Sequence, residues 1–285
     1  LRTFLMIRMV FIIAELGTNH MGDVKIAKEL ISVAKSAGCD AVKLQKKSIE
    51  KIYTKKFLDS YLESPWGTTQ REMRLHREFS EKQLSQIFKH AKKLKIPVFF
   101  SCWDIDSQIQ MRKFKTKYNK VASAMLTHHK LLEVIAEEKK YTFISTGMST
   151  MRDIEKAVKI FRKHKCPFEL MHAHSSYPMP NNEANLKLIP ALTKKFKCKV
   201  GYSGHEQGTT DVTIPAVMMG ATSIERHITL NRTWYGHDQI ASLGPSGLTR
   251  VVGFIRTIDS IMGDGKKRIW ESEIPNMKKL RQVFT

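Results

Sequence analysis

The feature that most constrains this chain is an alternation. Short runs rich in β-branched and aromatic residues recur along it, separated by amphipathic helical stretches. Eight such runs stand at 10–14, 41–45, 97–101, 120–123, 142–145, 168–172, 199–202 and 223–227. Strands that alternate with helices pair in parallel, and eight strand–helix units are what a closed barrel needs. The predicted fold class is therefore α/β: a (β/α)₈ TIM barrel, one domain over 10–285, behind an N-terminal extension at 1–9. An open doubly wound sheet is the alternative, but no glycine-rich dinucleotide fingerprint follows the first run.

Local signals set the helix boundaries. Asp23 is a candidate N-cap for a helix over 23–37, with Gly38 as its stop. Ser80 with Gln83 forms a capping-box pattern, and Ser149 or Thr150 caps the helix after the fifth run. A last helix covers 245–262, and a long connection, 46–78, separates the second strand from its helix.

Composition excludes some classes. No apolar stretch approaches the roughly 18 residues of a membrane span, and no cleavage site follows the first residues, so neither a membrane nor a secretory route is expected. Cys39, Cys102, Cys166 and Cys198 form no paired motif, which suits a reducing cytoplasm. A net charge of +21 raises the question of nucleic acid. The basic residues are spread along the whole chain without interleaved stacking aromatics, so the expectation is a solvated surface and no nucleic-acid partner.

In a barrel of this kind the active site forms at the C-terminal ends of the strands, and polar residues gather there in this sequence. Glu15 closes the first run, Lys43 and Gln45 share one face of the second, and Lys120 and Ser123 flank the fourth. Ser145 ends the fifth, His172, His174 and Ser175 the sixth, Ser203 and His205 the seventh, and Glu225 and His227 the eighth. Strands seven and eight are neighbours, so His205 and His227 are candidates to share one ion; two imidazoles suit an exchangeable Mn, Fe or Zn. Each residue also has a structural reading: mouth polarity for the lysines and serines, a satisfied hydrogen bond for a lone histidine, a buried structural carboxylate for Glu15.

Longer matches single out a family. The segments 13–20 (IAELGTNH), 42–45 (VKLQ), 145–148 (STGM), 171–178 (MHAHSSYP), 201–205 (GYSGH) and 225–230 (ERHITL), followed by Gly236-His237-Asp238, make the chain resemble the sialic acid synthase family. The resemblance runs in order from about Val10 to Arg281. It implies a cytoplasmic transferase that condenses phosphoenolpyruvate with N-acetylmannosamine or a related amino-sugar aldehyde, with Mn²⁺ as cofactor, working as a homodimer. Residue by residue, it implies that His205 and His227 are the metal ligands. Lys43, Lys120, Ser123, Ser145, Ser175 and Ser203 would hold phosphoenolpyruvate, Gln45, Tyr177 and Asp238 the sugar, and Glu15 would be the catalytic carboxylate. The sequence departs from the family at Ser123-Ala124-Met125, where Ser-Gly-Glu is usual, at Ser101-Cys102-Trp103, and at Gly204 before the metal histidine. The expectation is a barrel domain without the family's C-terminal antifreeze-like domain. The other readings are an aldolase that uses pyruvate, a synthase of another keto-deoxy sugar acid, and a barrel that binds without turnover.

Overall fold

The computed structural model describes residues 10–281, so the extension expected at 1–9 lies outside the described residues. Eight strands close a barrel: β1 (Phe11–Gly17), β2 (Ala41–Lys46), β3 (Val98–Cys102), β4 (Tyr118–Val121), β5 (Tyr141–Ser145), β6 (Phe168–Ala173), β7 (Val200–Gly204) and β8 (Ser223–His227). Each pairs in parallel with the next, and β8 returns to β1 with Glu15 opposite His227. The helices α1 (Val24–Ser36), α2 (Glu81–Lys93), α3 (Ile105–Met111), α4 (His129–Glu137), α5 (Met151–Lys163), α6 (Leu188–Phe196), α7 (Thr213–Met218) and α8 (Pro245–Met262) follow the strands in turn. This is the (β/α)₈ barrel that the alternation predicts.

Local chemistry sets these boundaries as expected at most ends. The Asp23 carboxylate accepts from the N–H groups of Lys25 and Ile26, satisfying two donors that a helix start leaves bare. Ser80 and Gln83 cap each other, and at α5 Thr150, not Ser149, forms the box, with Asp153. Gly38 takes φ +89° just past α1, a conformation glycine adopts without steric cost. Strand ends differ from the sequence reading, most at β1, β4 and β7, the last of which runs on to Gly204. β4 lies two residues earlier than 120–123, because Tyr118 and Val121 pair with Tyr141 and Ile144 while Ser123 already turns into a 3₁₀ segment. β1 continues past residue 14 through Glu15 to Gly17, because its ladder to β2 and β8 extends beyond the apolar run.

Side chains that point outward from the strands, such as Ile12, Val42, Leu44 and Leu170, join Leu30, Ile31, Leu131 and Phe161 of the helices in the main core. Inside the barrel Ile13, Ala41, Phe99, Phe143 and Met171 form a second, smaller apolar cluster. Phe99 and Phe143 meet there with ring centroids 5.7 Å apart. Each large side chain in this plug contributes about 2–3 kcal/mol by burial. Above the plug the inward-facing positions change character, from apolar to charged and hydroxyl-bearing. The β2–α2 connection is not a bare loop: short helices Ile49–Ile52 and Lys55–Leu58, a hairpin of Tyr61–Ser64 with Gly67–Thr69, and a helix Gln70–His76 build a wall beside the mouth.

Candidate active site

Four strands each send an ionisable side chain into the lumen above the plug. Glu15, Lys43, Lys120 and Glu225 are all at most 4% exposed. The Lys43 ammonium donates to Glu225 Oε1 at 2.7 Å and the Lys120 ammonium to Oε2 at 3.0 Å. Ser203 adds a third donor to Oε1 at 3.2 Å. Gln45 donates to Glu15 Oε1 at 2.9 Å, while Glu15 Oε2 accepts no hydrogen bond although Lys43 lies 3.5 Å away.

Burial pushes the Glu15 carboxyl above its ordinary value, against the pull of Lys43 and His227. Burial acts on Glu225 as well, but Lys120 and Lys43 outweigh it and hold that carboxylate well below its usual range. Lys120 is brought down to about 8 by burial, with Glu225 opposing. For Lys43 the attraction of Glu15 and Glu225 overcomes burial and raises the ammonium. The layer thus holds two lysines against one firmly ionised carboxylate, with Glu15 placed to carry a proton. Glu225 is the residue that sequence reasoning passed over: the alternation with His227 placed it at the mouth, but its role depends on distances to β2 and β4 that no pattern encodes.

His205 and His227 stand at the ends of β7 and β8 with ring centroids 5.5 Å apart. An ion bonded to both imidazoles permits centroids up to roughly 6.5 Å apart. His205 Nδ1 bonds the main-chain carbonyl of His174. A carbonyl only accepts, so Nδ1 carries the proton and Nε2 keeps its lone pair. Burial, then the neighbouring His227, brings His205 down to about 3, so its ring is neutral. Buried His227 Nδ1 has no hydrogen-bond partner, and Asp238 Oδ2 lies 3.9 Å from it. These donors fit a divalent ion with two protein ligands. Among the described residues no group of three or more His, Cys, Asp or Glu side chains would enclose one. Between Glu225 and His227, Arg226 points the other way, out of the lumen. Its guanidinium is fully buried and donates to Glu206 Oε1 at 2.6 Å and to the Glu206 carbonyl at 2.8 Å. It thereby ties the segment after His205 to the strand that carries His227.

A cavity of about 740 Å³ opens over this layer. Of the expected residues, Gln45, Ser123, Ser175, Tyr177, His227 and Asp238 line it, whereas Glu15, Lys43, Lys120, Ser145, Ser203 and His205 are buried behind the lining. Ser123 Oγ accepts from the Gly147 N–H at 3.1 Å, and Ser175 Oγ is buried without a partner. A Cβ on Gly147 would stand 2.3 Å from Ser175 Oγ, so only glycine lets the two serines converge here. Tyr177 lies against His205 with centroids 4.1 Å apart. Burial would raise the Asp238 carboxyl, but His227, Lys47 and His237 together bring it below its ordinary value. The outer lining adds Lys47, Arg74, Arg77, Tyr53, Trp103 and Tyr235, none of which the sequence reading placed in the site. The two arginines, three apart at the end of one helix, were the available signal.

Comparison with known proteins follows the same geometry. The NeuB family pattern matches residues 30–267. The N-acetylneuraminate-9-phosphate synthase of Mus musculus is 34% identical over 275 residues, covering 95% of this chain and 76% of that one. The N,N'-diacetyllegionaminic acid synthase of Campylobacter jejuni is 35% identical over 277 residues, covering 95% and 83%. Among solved structures, the N-acetylneuraminic acid (sialic acid) synthetase of Leptospira borgpetersenii superposes with a TM-score of 0.81 at 32% identity, covering 96% of this chain and 92% of the other.

Proposed function

The chain belongs to the NeuB family, and from that premise we propose that it condenses phosphoenolpyruvate with N-acetylmannosamine or a related amino-sugar aldehyde, giving a nonulosonic acid and phosphate. Its named relatives are synthases, and this chain is an enzyme of the same transferase type. The products named for those relatives differ, so membership alone does not choose the sugar.

The observation that carries the reading is the meeting of two buried lysines and two imidazoles at one barrel mouth. An ammonium has three protons. Lys43 and Lys120 each give one to Glu225, Lys120 gives a second to Met171 Sδ at 3.3 Å, and each lysine keeps at least one for an incoming anion. Together with Ser123, Ser145, Ser175 and Ser203 they would fix the phosphate and carboxylate of phosphoenolpyruvate by charge-assisted hydrogen bonds. Gln45, Tyr177 and Asp238 line the cavity and in this reading would hold the sugar. A divalent ion on His205 and His227, Mn²⁺ in this reading, supplies Lewis-acid polarisation of the acceptor's carbonyl oxygen when bound.

In the reaction, carbon 3 of phosphoenolpyruvate attacks the aldehyde carbon. Water adds at carbon 2, and phosphate leaves by C–O cleavage. Glu15 would deliver a proton to the aldehyde oxygen as it becomes a hydroxyl, and recover one from the attacking water. Its unpartnered Oε2 and raised proton affinity suit that work. Met125 stands where the family's second carboxylate is usual and has no proton to offer. Holding both reactants in register is worth up to ~7–11 kcal/mol of the barrier. The setting proposed is the cytoplasm, where the four free cysteines stay reduced, and the working form is a homodimer, which sedimentation would test.

The experiment is phosphate release from phosphoenolpyruvate with manganese and a panel of hexosamine-derived aldehydes. Stoichiometric phosphate and nonulosonic acid are expected. Borohydride trapping of a pyruvate adduct, with no phosphate released from phosphoenolpyruvate, would replace this reading with an aldolase.

A further inference from the structure

The outer wall of the cavity carries three cations without an acid to match them. Lys47, Arg74 and Arg77 all line it, and Asp238 is the one carboxylate among the lining residues. Lys47 Nζ sits 3.9 Å over the Trp103 ring, while the nearby Glu78 carboxylate is taken by Lys46 at 2.7 Å. Arg74 bonds only neutral groups, Tyr53 Oη at 3.0 Å and Gln70 Oε1 at 3.2 Å. Arg77 lies against Trp66 and Tyr235, and its buried Nε has no partner. None of the three makes an ion pair among the described residues, where the Asp238 carboxylate is flanked by His227 and His237. Burial pulls Lys47 and Arg77 below their ordinary values. Half-buried cations held against rings with no counter-charge are costly unless a ligand brings one.

Position says which ligand. Asp238 Oδ2 lies 3.9 Å from His227 Nδ1, Thr18 Oγ1 lies 3.5 Å from Asp238 Oδ2, and Arg77 Nη1 lies 3.4 Å from Thr18 Oγ1. This path leads from the imidazoles, where the aldehyde end of the sugar lies in the synthase reading, outward to the cations. We propose that the acceptor carries a phosphate monoester on the hydroxyl remote from its aldehyde, held by Lys47, Arg74 and Arg77. The inference rests on the synthase reading for its orientation. A phosphate dianion offers three terminal oxygens and two charges to one ammonium and two guanidinium forks. A carboxylate has one charge and two oxygens and would leave two of the three cationic charges unanswered, where the dianion leaves one. The donors in the lower layer are separate from these and serve the other reactant.

The test compares matched acceptors, the same amino sugar with and without a terminal phosphate and a uronic-acid counterpart, in the phosphate-release assay. The phosphorylated sugar should be favoured in kcat/KM by about tenfold or more, mostly through KM. Arg77→Gln should shrink that preference about tenfold; should it lose its fold, Lys47→Met, whose ammonium only covers a ring, serves instead. Equal kcat/KM for the first two sugars, or preference for the uronic acid, overturns the inference and leaves the synthase reading intact. If no acceptor turns over, the synthase reading fails, and calorimetry with the same sugars decides the wall. Tighter binding of the phosphorylated sugar that Arg77→Gln abolishes supports it, and equal binding sinks it.

Discussion

Glu225→Gln removes the one charge that both buried lysines share. At an effective dielectric of ~20, contacts of this length each carry roughly 5–6 kcal/mol of gross attraction. Desolvation offsets much of that, and breaking a buried pair nets ~3–5 kcal/mol of lost stability. For a chain of this size class the melting temperature should fall by at least ~6 °C. The sign of the pH dependence follows from Lys120. Its folded value, about 8, lies below the ordinary 10.5. The folded state therefore releases that proton first as pH rises, so the cost of burying the charge is full below about 8 and fades above it. Loss of Glu225 lowers this ammonium further, so the variant's deficit should be largest near about pH 6 and shrink toward about pH 9. An added anion should answer the same lysines. Phosphoenolpyruvate at a hundred times its Kd stabilises a protein by ~2.7 kcal/mol, and at equal ligand concentration the variant should gain more than the parent. Scanning calorimetry at both pH values, with and without phosphoenolpyruvate, measures all three quantities. A pH-independent deficit under ~1 kcal/mol, or equal gains from the ligand, would refute the shared-carboxylate account.

Other perturbations separate chemistry from folding. His205→Ala and His227→Ala should each abolish phosphate release while circular dichroism stays that of the parent; manganese-dependent turnover at the normal rate in either would remove it from the ion site. Gly17 has φ +53°, and a Cβ there would lie 2.9 Å from Asp238 Oδ2 and 3.0 Å from His227 Nδ1. Gly17→Ala should therefore cost ~1–3 kcal/mol of backbone strain and depress kcat; retention of full kcat would show that His227 and Asp238 tolerate displacement. Arg256 donates to the Val10 carbonyl at 2.6 Å, the Gly38 carbonyl at 3.2 Å and Asp40 Oδ2 at 2.6 Å, on the side of the barrel away from the mouth. Arg256→Ala should lower the urea-unfolding free energy by ~2 kcal/mol and leave kcat unchanged, a split that joint urea and rate measurements would expose.

The barrel was legible because its strands must be apolar on both faces near the plug, so Phe99, Phe143 and Ile13 announce themselves beside Val42 or Leu170. The same logic fails at the upper ends. There the ladder continues through Glu15 to Gly17 and through Ser203 to Gly204, residues whose polarity reads as loop. Polar strand ends were thus good pointers to the mouth and poor guides to strand length. The family motifs pointed to Lys43, Ser145, Ser203 and His227, which sit on strands, and to Ser175 and His205 just past strand ends, because those positions carry their identity in the pattern. The wall was not legible. Between 46 and 78 the elements are too short for a sustained period, and Lys47, Arg74 and Arg77 become neighbours only when that connection folds back over the mouth.

The alternation Glu225, Arg226, His227 has a consequence for how the last strand finds its place. Shifting it by a single residue would drive a guanidinium in among two ammonium groups and turn an acid or an imidazole toward the buried Glu206 carboxylate that Arg226 now answers. Mis-threaded versions of this stave are thus rejected by electrostatic repulsion rather than by shape. The three residues that equip the end of the barrel also proofread its closure.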